Sequence, residues 1–422
     1  MIKVIRLAVL LSVAFLSTVL SLGAGTTQTL LYVDGTNGSD SNNGLTPATA
    51  KATLTGALSL CPSTGCTIYQ LTPTTENNGV VLSKPNTRIY FAPGKTTING
   101  GVGGVGVQLL ANDDQLFGFG DDSDQNRTTG TILSVTTTGF AIAAGQGGLS
   151  PTAVIFRPVV DRIFIQDAAS CVVFYASWHG EITRSHCLGS GTGASGSVGF
   201  LLEDIAHPAG SYWNEINDNT VRAVDYGVEL YSSAAQGTNQ NRVSYTSGDT
   251  NIVGIEIAAG ANGEATWNLT TGNDLAAENP GTDCTSGSWI GQYLTGNVYA
   301  NTSINDAYEP NGCAGTYGIR MDSLVTNEII INPNVEGTQF LIYDATTAKD
   351  TIVLGNRTST TKTSSLVNLP AIVYNGVVYS SLSNFPSNGT VVYCSDCQIT
   401  NPCASGGHGA IAKRLSGIWV CN

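Results

Sequence analysis

Glu229 and Glu256 stand 27 residues apart in two copies of one short pattern, Tyr226-Gly227-Val228-Glu229-Leu230 and Val253-Gly254-Ile255-Glu256-Ile257. A third copy, Tyr317-Gly318-Ile319-Arg320-Met321, puts a guanidinium at the charged position. Fainter copies are Val198-Gly199-Phe200-Leu201-Leu202 and Ile290-Gly291-Gln292-Tyr293-Leu294. In an extended chain, side chains alternate between faces. Val228 and Leu230 therefore point inward and Glu229 outward. Applied to every copy, the outward series is Leu201, Glu229, Glu256, Tyr293 and Arg320. Two positions on it is Glu203, Tyr231, Ala258, Thr295 and Asp322.

If successive copies stack as neighbouring strands, their Cα atoms lie about 4.8 Å apart, or about 10 Å when one copy is skipped. Carboxyl pairs about 5–5.5 Å apart serve retaining glycosidases, and pairs about 6.5–9.5 Å apart serve inverting ones. Stacked glutamates also repel, which raises one pKa toward that of a general acid. Glu229, Glu256 and Asp322 are thus the candidate catalytic carboxylates. Arg320 suits an acidic sugar, Tyr231 and Tyr293 suit stacking on sugar faces, and Glu203 completes the binding set. The same residues also read as a ligand-binding face without turnover, or as an ordinary solvated sheet surface. A second acidic set, Glu278, Glu309 and Glu336 (with Asp225 and Asp249 upstream), follows turns beside a loop at 279–288. Calcium is the ion such turn carboxylates would suit; no other cofactor is implied.

The elements that must position these residues follow from the period. A second marker runs in phase: Asn214, Asn241, Asn268, Asn297 and Asn327, with further Asn at 219, 273 and 332. Periods of 20–50 residues mark solenoids. The strands are short and separated by Gly, Asn, Asp and Ser turns, and no helix-length amphipathic segment lies between them. A coil of about 27 residues holds three strands of about five residues with their turns. A buried Asn amide in each coil can bond to the Asn of the next.

Composition agrees. Of 422 residues, 50 are Gly and only 12% are charged, while 41% are hydrophobic. That excludes a coiled coil, a charge-rich disordered chain and a helical bundle. The net charge of −13 disfavours nucleic acid as a partner.

Lys3 and Arg6 precede an apolar run from Leu7 to Leu22 and small residues at Gly23–Gly25, the layout of a secretory signal peptide. Ten Cys fit an oxidising compartment. Cys61–Cys66, Cys171–Cys187 and Cys284–Cys313 are the expected local pairs. Cys394, Cys397, Cys403 and Cys421 supply two more bridges, although Cys394-Ser-Asp-Cys397 also looks like half a zinc site.

Tyr32-Val33-Asp34-Gly-Thr-Asn-Gly-Ser-Asp40, followed by Gly44, Pro47 and Thr53-Leu54, resembles the N-terminal region of secreted, right-handed parallel β-helix proteins of the pectate-lyase-like superfamily. The Gly-Ile-x-Ile and Asn-x-Ile/Val copies resemble their coils. The resemblance covers roughly residues 30–357 and implies a fold more than an activity. The Asn-Thr-Asp, Gly-His-Gly and Arg-Ile-Lys signatures of polygalacturonases are missing, and so is the Arg-rich strand of calcium-dependent pectate lyases.

The expected organisation is a signal peptide at 1–25, an N-terminal strand and capping helix at 26–62, a parallel β-helix at 63–357, a linker at 358–368, and a small disulfide-tied β module at 369–422. The expected function is an exported protein engaging a polysaccharide or cell-surface glycan, as a lyase or glycoside hydrolase. The alternative is a non-enzymatic adhesin or a receptor binder like a phage tailspike. No membrane association is expected after signal cleavage, and the assembly is a monomer or homotrimer.

Overall fold

The computed structural model describes residues 28–120, 130–145, 154–190, 196–204, 210–233, 236–277, 289–310, 316–335, 340–345, 351–354, 357–358, 379–384 and 391–422. The chain is a parallel β-helix. Its backbone runs through one twelve-stranded parallel sheet from Thr29–Asp34 to Ile352–Leu354. Each coil then crosses two lateral parallel ladders. The first includes His186–Leu188, the start of Thr220–Ser232, and Ala307–Glu309. The second includes Ser170–Tyr175, Val198–Glu203, the end of Thr220–Ser232, the end of Ser247–Ala259, Ile290–Thr295 and Tyr317–Met321. Short two-residue strands such as Ser177–Trp178, Ser211–Tyr212 and Thr238–Asn239 close the coil.

Inward positions form a single column. Val228, Leu230, Ile255, Phe200 and Ile319 are wholly buried in one cluster that extends from Leu31 to Ile342. The glycine of the repeat has a steric cause. Gly199, Gly227, Gly254 and Gly291 sit one above another, and a Cβ on any of them would lie 2.5–2.6 Å from the next coil's glycine carbonyl oxygen. That is closer than real Cβ contacts come, so a larger residue forces the coils apart. The two fainter copies of the repeat take full part, with Val198, Tyr226, Val253, Ile290 and Tyr317 in register.

The asparagine ladder is real, but its upper rungs differ from the sequence expectation. Asn214, Asn241 and Asn268 are stacked and buried. Asn214 Nδ2 donates to Asn241 Oδ1 at 3.0 Å, and Asn241 Nδ2 to Asn268 Oδ1 at 3.2 Å. Each amide also donates to a backbone carbonyl, and each Oδ1 also accepts the preceding rung's backbone N–H. The column continues to Asn301 and then Glu328, not to Asn297 and Asn327. Asn297 is exposed, and Asn327 occupies an outer turn with φ of 57°. A second column runs through Asn219, Asn273 and Asp306, while Asn332 lies outside it with φ of 48°. The rungs depart from even spacing because the single coil from Asn268 to Asn301 is lengthened to 33 residues, after which Glu328 follows at 27.

The N-terminal end is closed by the helix Leu54–Leu58, whose Leu54 and Ala57 are buried. Thr53 Oγ1 accepts from Gly56 N–H at 2.9 Å, and buried Glu76 accepts from Leu54 N–H at 2.7 Å. The carboxylate thereby satisfies donors that a helix start leaves open. Asp34, held by Thr72 and the Thr36–Asn37 amides, has its pKa lowered to about 2. Cys61–Cys66 ties this helix to the first long coil, and Cys171–Cys187 crosses the core.

The C-terminal segment is a three-stranded antiparallel sheet of Val391–Cys394, Ala410–Leu415 and Ile418–Cys421. It has its own small core around Leu382, Ala412 and Trp419. Disulfides Cys394–Cys397 and Cys403–Cys421 hold it. Asp396 lies beside the first pair, but a disulfide has no thiolates to give a zinc ion. The expected signal peptide and Cys284–Cys313 bridge lie outside the described residues. So does the expected linker, except Thr358, which still pairs with Val335 in the helix.

The ladder makes a quantitative prediction. Asn241→Ala leaves the Asn214 amide and backbone N–H without their shared acceptor, at about 1–3 kcal/mol for each buried unsatisfied group. Urea unfolding should show a loss of about 2–4 kcal/mol. Asn297→Ala, made at the position sequence spacing favoured, should stay within about 0.5 kcal/mol of the parent.

Candidate functional site

The outer face of the second lateral ladder changes character along the helix axis. Ala143, Val173 and Leu201 stack at the outward position and are buried there with Val105 and Val198. Phe140, Tyr175, Tyr226 and Tyr231 pack against this external apolar cluster. The next two outward residues in the same row are Glu229 and Glu256, paired directly across adjacent strands. Glu203 stands opposite Tyr231 on one side and opposite Tyr175 on the other, which places it diagonal to Glu229.

The three glutamates therefore leave the aqueous surface without entering the core. Each is half-buried. Burial pushes the Glu229 carboxyl up to about 8, and the neighbouring Glu256 charge and hydrogen bond add to this. Burial raises Glu256 to about 7, against the hydrogen bond from Glu229, which lowers it. Both carboxyls are pushed up by burial, and their mutual hydrogen bond raises Glu229 and lowers Glu256. Burial, then the charges of Glu229 and Asp204, raise Glu203 to about 7 despite a hydrogen bond from Ser233. Tyr226 and Tyr231 are raised as well, first by burial and then by these glutamates.

The downstream end of the face is a clamp. Asp322 accepts from Tyr293 Oη at 2.6 Å, Thr295 Oγ1 at 3.0 Å and Arg320 Nε at 3.3 Å. The Arg320 guanidinium lies 5.0 Å from the Tyr293 ring centroid and 5.5 Å from that of Tyr317. With both carboxylate oxygens engaged, Asp322 positions Tyr293 and Arg320. Its geometry is not that of a free base.

The structure thus gathers Glu203, Glu229, Glu256, Tyr231, Tyr293, Arg320 and Asp322 on one outer face. It does not bring the second acidic set there. Glu309 ends the strand Ala307–Glu309 on the other lateral ladder, and Glu278 and Glu336 lie outside the described residues. Asp225 accepts from Gly196 N–H and Asn251 Nδ2, bracing a turn, and Asp249 lies 3.6 Å from Arg222. Sequence reasoning missed Tyr175, Tyr226 and the external apolar cluster that removes water from the glutamates. Val198 and Leu201 in the faint repeat copy were the available signal.

No family model matches the chain, and no curated protein is similar to it. A comparison with solved structures returns the following three among its matches. GH136 lacto-N-biosidase from Eubacterium ramulus matches at 10% identity, over 78% of this chain and 67% of that one, with a TM-score of 0.35. A mutant DFA-IIIase from Arthrobacter chlorophenolicus A6, in complex with DFA-III, matches at 11% identity, over 75% and 86%, with a TM-score of 0.34. Tailspike protein 3 of bacteriophage CBA120 matches at 11% identity, over 84% and 64%, with a TM-score of 0.27.

Proposed function

We propose that this chain is an exported glycan-cleaving protein whose acid–base site is the row Glu203, Glu229 and Glu256. One observation carries the reading: three glutamates share a half-buried outer face, two of them paired directly across adjacent strands, where burial pushes all three carboxyls up. A solvated sheet surface does not require that, whereas a general acid does.

The hydrogen-bonded pair Glu229/Glu256 is too close to straddle a glycosidic bond. It acts as one unit that stores a proton on Glu229, to be delivered to the leaving oxygen. Glu203 is the second carboxylate. Diagonal neighbours on adjacent strands have Cα atoms about 7–8 Å apart. From that backbone spacing two glutamate side chains can reach the about 6.5–9.5 Å carboxyl separation of inverting enzymes, in which the base activates a water. Tyr231 and Tyr175 flank Glu203 as apolar walls for a sugar ring, and Arg320 offers a cation for an acidic substituent. A binder without turnover would need neither the stored proton nor the second carboxylate.

Purified protein should release reducing ends from at least one member of a polysaccharide panel. Glu229→Gln and Glu203→Gln should each lower kcat by about 10²–10⁴-fold with little change in KM. Retained binding with no release from any glycan would leave an adhesin. Full activity in both variants would place the chemistry elsewhere.

Turnover needs Glu203 ionised and Glu229 protonated. Their values of about 7 and about 8 predict a bell-shaped rate profile with its maximum between them.

Stability carries the opposite signature to ordinary ion-paired carboxylates. The folded pKa values lie above the ordinary value of 4.5, so between about pH 4.5 and 8 the native chain binds more protons than the unfolded one. Stability should be greatest at the acid end of this window and fall as pH rises through it. Glu229→Gln should shrink that fall and leave the variant more stable than the parent at pH 8, as read by urea midpoints. Buried Asp114, raised to about 8, keeps some slope in both proteins.

A further inference from the structure

A row of aromatic side chains runs along the edge where the two-residue strands turn into the twelve-stranded sheet. Phe156, Trp178 and Tyr212 occupy equivalent positions on successive coils, and Tyr299 occupies the same position further along, across from Thr266. The next residue in each coil adopts a left-handed conformation: His179, Trp213, Gln240 and Trp267 have φ between 54° and 59°. All four are exposed, Trp213 by 47% and Trp267 by 55%.

Backbone geometry does not favour tryptophan there. A left-handed residue with a Cβ costs about 1–2 kcal/mol, and Asn or Gly relieves that cost. Half-exposed indoles also gain only part of their burial energy. Yet the rings are held in place. His179 stacks on Trp213 at 5.2 Å and 10° between planes, while Trp178 meets the same ring edge-on at 5.6 Å. Trp178 Nε1 donates to the Gly210 carbonyl at 3.1 Å. Trp267 packs edge-on against Tyr299, whose hydroxyl donates to Glu264 at 3.0 Å.

We propose that this edge is a second carbohydrate-binding site, a stacking platform for a neutral, extended glycan chain lying along the helix axis. Trp213 and Trp267 occupy the same turn two coils apart, about 9.6 Å along the axis. The full row from Phe156 to Tyr299 spans about 24 Å by the same spacing. Pyranose rings in an extended chain offer apolar C–H faces at intervals similar to the coil rise, with hydroxyls at their rims. The platform matches both features. Indole faces alternate with exposed Gln240 as hydrogen-bonding partner, and Glu264 lies at the margin. The chain's net charge of −13 selects against polyanions on so open a surface. The inference does not rest on the glutamate row, because no residue is shared between the two sites.

The test is affinity electrophoresis of the full chain in gels containing hydroxyethylcellulose, xylan, glucomannan or dextran, with polygalacturonate and single-stranded DNA as charged comparators. The variant is Trp213→Asn/Trp267→Asn, chosen because Asn tolerates the left-handed turn and should keep or raise the urea midpoint. At least one neutral polysaccharide should retard the parent. The double variant should lose about tenfold in affinity for each ring removed. Its turnover of short oligosaccharides, where the parent shows any, should be unchanged. Retardation by no neutral polysaccharide, equal retardation of parent and variant, or retardation by DNA alone would each overturn the platform. Loss of turnover in Glu229→Gln with retardation intact would separate the two sites.

Discussion

Each coil must reproduce the backbone path of its neighbour closely enough for side chains to meet their own counterparts about 4.8 Å away. Everything else in this chain depends on that constraint. It turns a polar residue inside the coil from a liability into a repeating contact, because the Asn241 amide both accepts from Asn214 and donates to Asn268. It also admits nothing larger than glycine where the chain enters the second lateral ladder, since Gly227 already faces the Gly254 carbonyl oxygen. The high glycine content and low charge of the sequence are the compositional trace of these two demands.

The same repetition puts like beside like on the outside, with different consequences at different heights. Where the outward row carries Ala143, Val173 and Leu201, stacking builds an apolar cluster on the helix exterior. Where it carries Glu229 and Glu256, stacking forces two carboxyls together. The cluster and its tyrosines shield them from water, which pushes both carboxyls above the ordinary range. Farther along, Tyr293, Arg320 and Asp322 resolve the same crowding by pairing opposite charge and stacking guanidinium on rings. A single row thus passes from apolar cluster to carboxyl pair to ion pair within a few coils.

Much of this was legible in the residues. Glu229, Glu256 and Arg320 occupy one position of a repeat that keeps its pattern, so their common face followed from alternation and period. The ladder at Asn214, Asn241 and Asn268 was legible for the same reason. Legibility ended where coil length changed: Asn301 and Glu328 replace the nearer Asn297 and Asn327, because hydrogen bonding follows spatial height and not residue count. The aromatic edge was written beside the ladder, as Trp213-Asn214 and Trp267-Asn268. Its exposure depends on left-handed turns that no spacing rule specifies.

By itself, the sequence determined the parallel β-helix, the faces on which Glu229 and Glu256 lie, and the glycine column, because period and alternation are local properties that stacking only repeats. The tertiary structure alone decided how wet each face is. It set Glu203 diagonal to Glu229, occupied both oxygens of Asp322, laid Tyr175 and Tyr226 against the glutamates and left Trp213 and Trp267 open to solvent. Desolvation depends on residues brought together from several coils and loops, and for that reason the protonation of the candidate site is a property of the assembled helix.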